Sequence, residues 1–208
     1  MPNFTSDNNN DHIYKDPVRF IDTLDDSKHI VLYYENPKFG KKIQFRFIRN
    51  GLIKGENCIY TTHEDNIDLI EFEMINDSIN VEDYSKRGLL KIIKISNPLE
   101  HPDRVLKEAS HIIDTMFSDP MMTFRMVVRM IDKFDTIDQI KANLELEQYC
   151  HSKFEKSSGL VLCAYDVSKN PCNTDGTWVE TILENHHSAI FATGAAEEGV
   201  VFDIPKQI

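Results

Sequence analysis

No apolar run in these 208 residues approaches the roughly 20 needed to cross a bilayer, so a membrane-spanning helix is excluded. The opening MPNFTSDNNNDH is polar and acidic and lacks an apolar core, which predicts a frayed tail rather than a signal peptide or anchor. Cysteine is sparse. Cys58, Cys150, Cys163 and Cys172 show no CxxC spacing, so neither a disulfide framework nor a zinc knuckle is expected, and reduced thiols in a cytoplasmic protein are. Positive charge is also short, with 23 Lys and Arg against 34 Asp and Glu and a net charge of −11. The most basic stretches, KFGKK and SKRGLLKIIK, make no stripe that could follow a phosphate backbone, so nucleic acid is not expected as a direct partner. Internal repeats and low-complexity linkers are missing too, which leaves one folded domain over residues 28–204 behind a tail and short helix at 1–27.

The chain does have the ordinary globular balance, 41% apolar and 27% charged, and enough length to bury a substantial core. Asp16 and Pro17 start a short helix. HIVLYY (29–34) predicts a buried strand, and Phe39, Ile43, Phe47, Ile48 and Leu52 a helix ending near Gly51 or Gly55. NCIYTT is the second strand, after which Thr62 and Asp65 suggest a helix start running through Met74. LLKIIKI, TFRMVVRMI, LVLCAY and SAIFAT complete six strands. They alternate with helices expected at 103–117, 136–155 and 177–187, and Met116, Met121, Met122, Met126 and Met130 read as core packing. Short apolar runs without period-two alternation are the mark of strands buried on both faces. The fold class is therefore α/β: three layers around a mostly parallel sheet.

Gly40-Lys41 follows the first strand and opens a helix, which is where a phosphate-binding loop sits. The pattern G-x-x-x-x-G-K-[ST] needs glycines to curl the backbone around phosphate and a hydroxyl for magnesium. Here Glu35 stands at the first glycine position, Lys42 at the hydroxyl position, and Asn36, Pro37, Lys38 and Phe39 in between. One reading is an atypical phosphate loop using Lys38, Lys41 and Lys42. The other, favoured because two of the four defining positions are lost, is a strand-to-helix turn with solvated lysines.

Several segments together resemble the MEDS family, the methanogen/methylotroph sensory domain. They are KHIVLYYEN, RNGLIKGENCIYTTHED, RGLLKIIKI, FRMVVRM, GLVLCAYD and ILENHHSAIF, spanning about His29 to Asp203. The family pattern falls on His29, on Tyr33 to Glu35, on Gly51 to Cys58, on Cys163 to Tyr165 and on His186. Arg129 stands where many relatives carry an acidic residue. The resemblance implies a RecA-like core, related to clock-type ATPases, without a functional phosphate loop. It also implies a non-enzymatic sensor of small hydrocarbon derivatives, of archaeal or bacterial type, with no cofactor. With neither a kinase nor a helix-turn-helix module in the chain, output is expected to pass to a kinase or transcription regulator, or through a homodimer.

In an open parallel sheet, ligands bind beyond the carboxyl ends of the strands. Tyr34, Glu35, Thr62, His63, Ser96, Asn97, Ile131, Asp132, Tyr165, Asp166 and Thr193 project there, either as a pocket rim or as ordinary strand ends. The candidate ligand-binding set is His29, Tyr34, Glu35, Lys41, His63, Arg129, Cys163, Tyr165 and His186. No catalytic residue is assigned. Cys58, Cys163, His29 and His186 have the chemistry of a metal site, but cysteines in apolar strands are usually buried hydrophobes, so no metal is assigned either. His186 shares the core-facing stripe of Val179, Ile182 and Leu183 and is read as a helix-ending cap; His187 is read as solvent-facing. Arg125 and Arg129 share one sheet face and call for carboxylate partners, with Asp132 or Glu145 the candidates.

Overall fold

The computed structural model describes residues 16–63, 66–96, 102–116, 122–130, 137–154, 157–168, 177–192 and 197–205. The expected tail (1–15), Asp65, Asn97, Met121, Ile131, Asp132, Thr193 and the loop holding Cys172 lie outside the described residues.

Fourteen described elements alternate along the chain. After α1 (Pro17–Asp22) come β1 (Lys28–Tyr34), α2 (Pro37–Lys54), β2 (Asn57–Thr62), α3 (Ile67–Asn76) and α4 (Val81–Lys86). Then follow β3 (Leu90–Lys94), α5 (Pro102–Met116), β4 (Phe124–Arg129), α6 (Ile137–Phe154), β5 (Gly159–Asp166), α7 (Thr177–Glu184), β6 (Ser188–Ala192) and β7 (Val200–Asp203). The sheet order is β3-β2-β4-β5-β1-β6-β7, parallel except for β7, which runs antiparallel to β6. The six expected strands are all present. β7 and α4 are additions, and α3 starts later than the sequence suggests. Its N-cap is Asn66, whose side chain accepts from the Leu69 amide, while Thr62 remains in β2.

β1 lies in the interior of the sheet, between β5 and β6, and its alternating side chains feed two separate cores. Ile30, Leu32 and Tyr34 face the layer of α1–α4, while Val31 and Tyr33 face the layer of α5–α7. The long helix α2 is fixed at both ends. Asn36 Oδ1 accepts from the Lys38 and Phe39 amides at 3.0 and 3.2 Å, with Pro37 pre-set at the first helical position. At the other end Gly55 takes φ 78°, a left-handed conformation that costs glycine little, so the Glu56 amide can close back on the Gly51 carbonyl. Asn36→Ala is expected to cost about 1 kcal/mol, readable by urea denaturation.

The Glu56 side chain meets β4. Arg125 is 1% exposed and donates from Nε to Glu56 Oε2 at 2.7 Å, with its guanidinium over the Phe47 ring. This corrects the expected pairing with Asp132 or Glu145: Asp132 is outside the described residues, and Glu145 is exposed on α6, in the layer across the sheet. Met126 and Met130 are buried in the core, as the sequence suggests.

Candidate functional site

The candidate residues divide between the two faces of the sheet. At the carboxyl edge on the α2 side, Tyr34 is buried, and its hydroxyl feels both the Arg129 guanidinium and the Asp166 carboxylate. Burial raises the Tyr34 pKa, Arg129 opposes that and Asp166 adds to it. Asp166 also accepts from the Ser168 amide and hydroxyl, which holds the β5 end in a tight turn. His63 lies just past β2. Its two ring nitrogens face the Ser96 and Arg129 carbonyls at 3.1 and 2.9 Å, so it ties the ends of three neighbouring strands together. Burial lowers its pKa. Glu35 is exposed, and its amide bonds the Ala192 carbonyl.

The β1–α2 connection is only Glu35 and Asn36, so Gly40 and Lys41 are already inside the helix. Lys41 Nζ lies 2.6 Å from Glu73 Oε2, and Lys42 pairs with Glu197 at 2.5 Å. These lysines and Lys38 border an open cleft of about 410 Å³, shared with Phe45, Asp77 and both glutamates.

On the opposite face, His29, Cys163, Tyr165 and His186 converge, joined by a residue the sequence did not single out: Glu147 of α6. In-register pairing of β1 with β5 sets His29 beside Val161, so Cys163 lies one side-chain step further along the same face. His29, Glu147 and His186 side chains are all 0% exposed. His29 Nε2 is 3.2 Å from Cys163 Sγ and 3.7 Å from Glu147 Oε2. Cys163 Sγ is 3.3 Å, and His186 Nε2 3.4 Å, from the same carboxylate oxygen. The other oxygen, Oε1, accepts from the Tyr165 hydroxyl at 2.5 Å.

Both imidazoles are oriented by carbonyls at the end of α7. His29 Nδ1 lies 2.9 Å from Asn185 O and His186 Nδ1 2.6 Å from Ile182 O. A carbonyl can only accept, so each Nδ1 carries the proton and each Nε2 presents a lone pair to the cluster. The expected helix-ending role of His186 therefore holds, but as a neutral ring, since burial drives its pKa down to about 3. Burial, reinforced by His186, likewise keeps His29 well below its usual value. Burial raises Glu147 to about 7 against the hydrogen bonds from Tyr165 and Cys163, and pushes the Cys163 thiol well up.

His187 is half-buried rather than solvent-facing; its Nδ1 accepts from the His29 amide, and its ring packs on Phe154. Cys58 belongs to the other core, beside Gly51 and Arg125, and cannot join the cluster. The signal for Glu147 was its place on the buried stripe of α6, with Asn143, Leu146, Cys150 and Phe154.

The MEDS family, described as "MEthanogen/methylotroph, DcmR Sensory domain", matches residues 28–186, well over half of the chain. The protein belongs to the MEDS family. That match begins one residue before His29 and ends on His186, so it encloses the whole buried cluster. Membership supports a sensory role in general. Among solved structures, a KaiC-like protein from the hyperthermophilic archaeon Pyrococcus horikoshii is similar in fold. Its TM-score is 0.58 at 15% identity, covering 88% of this MEDS chain and 80% of that protein. The likeness agrees with a RecA-like core. None of the curated proteins matches the sequence. No helix among the described residues is long and apolar enough to cross a membrane.

Proposed function

We propose that this MEDS domain is a non-enzymatic signal-input module that binds a small hydrocarbon derivative at the carboxyl edge of its sheet and passes the signal to a protein partner. The observation carrying this reading is the buried Tyr34 hydroxyl at the end of β1, which feels both the Arg129 and the Asp166 charge where α/β sheets hold their ligands. A phenol and two opposite charges at a strand end can orient a small molecule with one polar group. The neighbouring corner supports binding without triphosphate hydrolysis. Two residues cannot wrap a phosphate, and Asn36 Oδ1 already takes the Lys38 and Phe39 amides that would face one.

The cleft lined by Lys38, Lys41 and Lys42 favours a second reading, in which an anion or nucleotide is held by the lysines. Glu73, Asp77 and Glu197 line the same cleft and counter that charge. Calorimetry with Mg-ATP separates the two. No saturable heat is expected from the wild type, whereas micromolar binding lost in Lys41→Ala would overturn the proposal. In parallel, thermal melting against small alcohols, amines and haloalkanes is expected to show saturable stabilisation by one class. That stabilisation should vanish in Arg129→Met; stabilisation by no class, or equal stabilisation of that variant, would count against the carboxyl-edge site.

A further inference from the structure

The four inward-facing atoms of the buried cluster are all metal-ligand types gathered in one small buried space. With each Nδ1–H committed to a carbonyl, His29 Nε2 and His186 Nε2 are acceptors, and so is Glu147 Oε2 once the carboxyl, whose Oε1 takes the Tyr165 hydroxyl, is ionised. The Cys163 thiol has one proton to give, to His29 or to Glu147. His186 Nε2, fully buried, has no hydrogen-bond partner although it points at the carboxylate 3.4 Å away. A buried acceptor without a donor is costly, and a cation at the centre satisfies all four atoms together.

We propose that His29, Glu147, Cys163 and His186 form a closed, four-coordinate site for a divalent transition-metal ion, zinc being the best match. Zinc takes thiolate, imidazole and carboxylate ligands at about 2.0–2.3 Å, which puts tetrahedral ligand atoms ~3.3–3.6 Å apart. Four of the six separations run from 3.2 to 3.7 Å, and all ligand atoms lie within 4.8 Å of one another. The supporting groups that hold metal ligands are already in place: a carbonyl behind each imidazole and a phenol behind the carboxylate. Charge agrees as well. A divalent ion, one thiolate, one carboxylate and two neutral imidazoles sum to zero, the one balance that a dry interior accepts readily. On binding, the thiol and carboxyl protons leave to solvent.

An ion here would join β1, β5, α6 and the end of α7, linking the central strands to the helical layer that covers them. All four residues are buried, which fits a closed structural centre rather than an open catalytic one. His151 and His187, both half-buried and 5.9 Å apart by ring centroid, pack beside His29.

The full chain, stripped with chelator, is titrated with cobalt(II) chloride and then with zinc chloride. One equivalent of cobalt should give intense tetrahedral visible bands and a thiolate-to-cobalt charge-transfer band, both lost when zinc displaces it. Cys163→Ser should abolish the charge-transfer band and weaken zinc binding at least 100-fold, while Cys58→Ser in the other core leaves both unchanged. Zinc should raise the melting temperature of the wild type and of Cys58→Ser. If Cys163→Ser fails to fold, Glu147→Gln serves instead, with weakened zinc binding expected. Failure of the wild type to bind either ion, a six-coordinate cobalt spectrum, or a charge-transfer band that survives Cys163→Ser would overturn the proposal.

Discussion

Glu56→Gln is expected to cost about 3 kcal/mol of folding stability, because it strips the counter-charge from a guanidinium that has no route to water. Arg125 is 1% exposed, whereas the Glu56 side chain keeps 16% of its surface. The remaining guanidinium contacts are the Phe47 and Leu24 carbonyls, both at 3.4 Å, and the Phe47 ring. These contacts stabilise an arginine but do not neutralise it. Arg125→Met should cost less, about 1 kcal/mol, since Glu56 left alone can turn toward solvent and the thioether fills much of the vacated space. The double variant should resemble Arg125→Met, giving a coupling of about 3 kcal/mol between the two sites. Urea denaturation followed by circular dichroism measures all three. Equal losses in the two single variants would mean that the pair contributes through packing alone.

The same strand shows how far a sequence reading reaches. That Arg125 and Arg129 share a face follows from alternation along β4 and needs nothing else. Their partners depend on which helix covers that face and where the neighbouring strand ends, and neither is written locally. Glu56 lies 69 positions away and reaches Arg125 because β2 pairs with β4. The candidate site divides along the same line. His29, Cys163, Tyr165 and His186 carry chemistry in their residue types and could be singled out. Their convergence required the β1–β5 register, a non-local pairing 132 residues apart at its start, Lys28 against Leu160. Glu147 was harder to see. A glutamate in a helix reads as a solvated position unless the apolar stripe around it is recognised, and Asn143 and Glu147 themselves interrupt that stripe. The strands and long helices were legible because their apolar periodicity is strong. β7 and α4, with four and six residues, are too short to impose a period on the sequence.

Gly40 would do different work in the two readings of the β1–α2 corner, and a substitution tells them apart. As part of a phosphate loop, Gly40 would be needed for backbone approach to the ligand, and its replacement would remove binding with little effect on folding. Here it is a helical residue pressed on the Tyr34 ring. A Cβ at this position would lie 2.4, 2.5 and 2.8 Å from three atoms of that ring, which is itself 2% exposed. Gly40→Ala should therefore overpack the core at about 3 kcal/mol, offset by ~1 kcal/mol of improved helix propensity, for a net loss near 2 kcal/mol. Lys41→Ala removes a partly exposed ion pair with Glu73 and should cost less than about 1 kcal/mol. Tyr34→Ala opens the space that the new methyl group needs. In that background Gly40→Ala should be neutral or stabilising, and the non-additivity reports the contact directly. A Gly40→Ala protein as stable as the wild type would place Tyr34 elsewhere and remove the packing account of this corner. The expected ranking, with glycine costly and lysine cheap, inverts the one that a triphosphate-gripping loop requires.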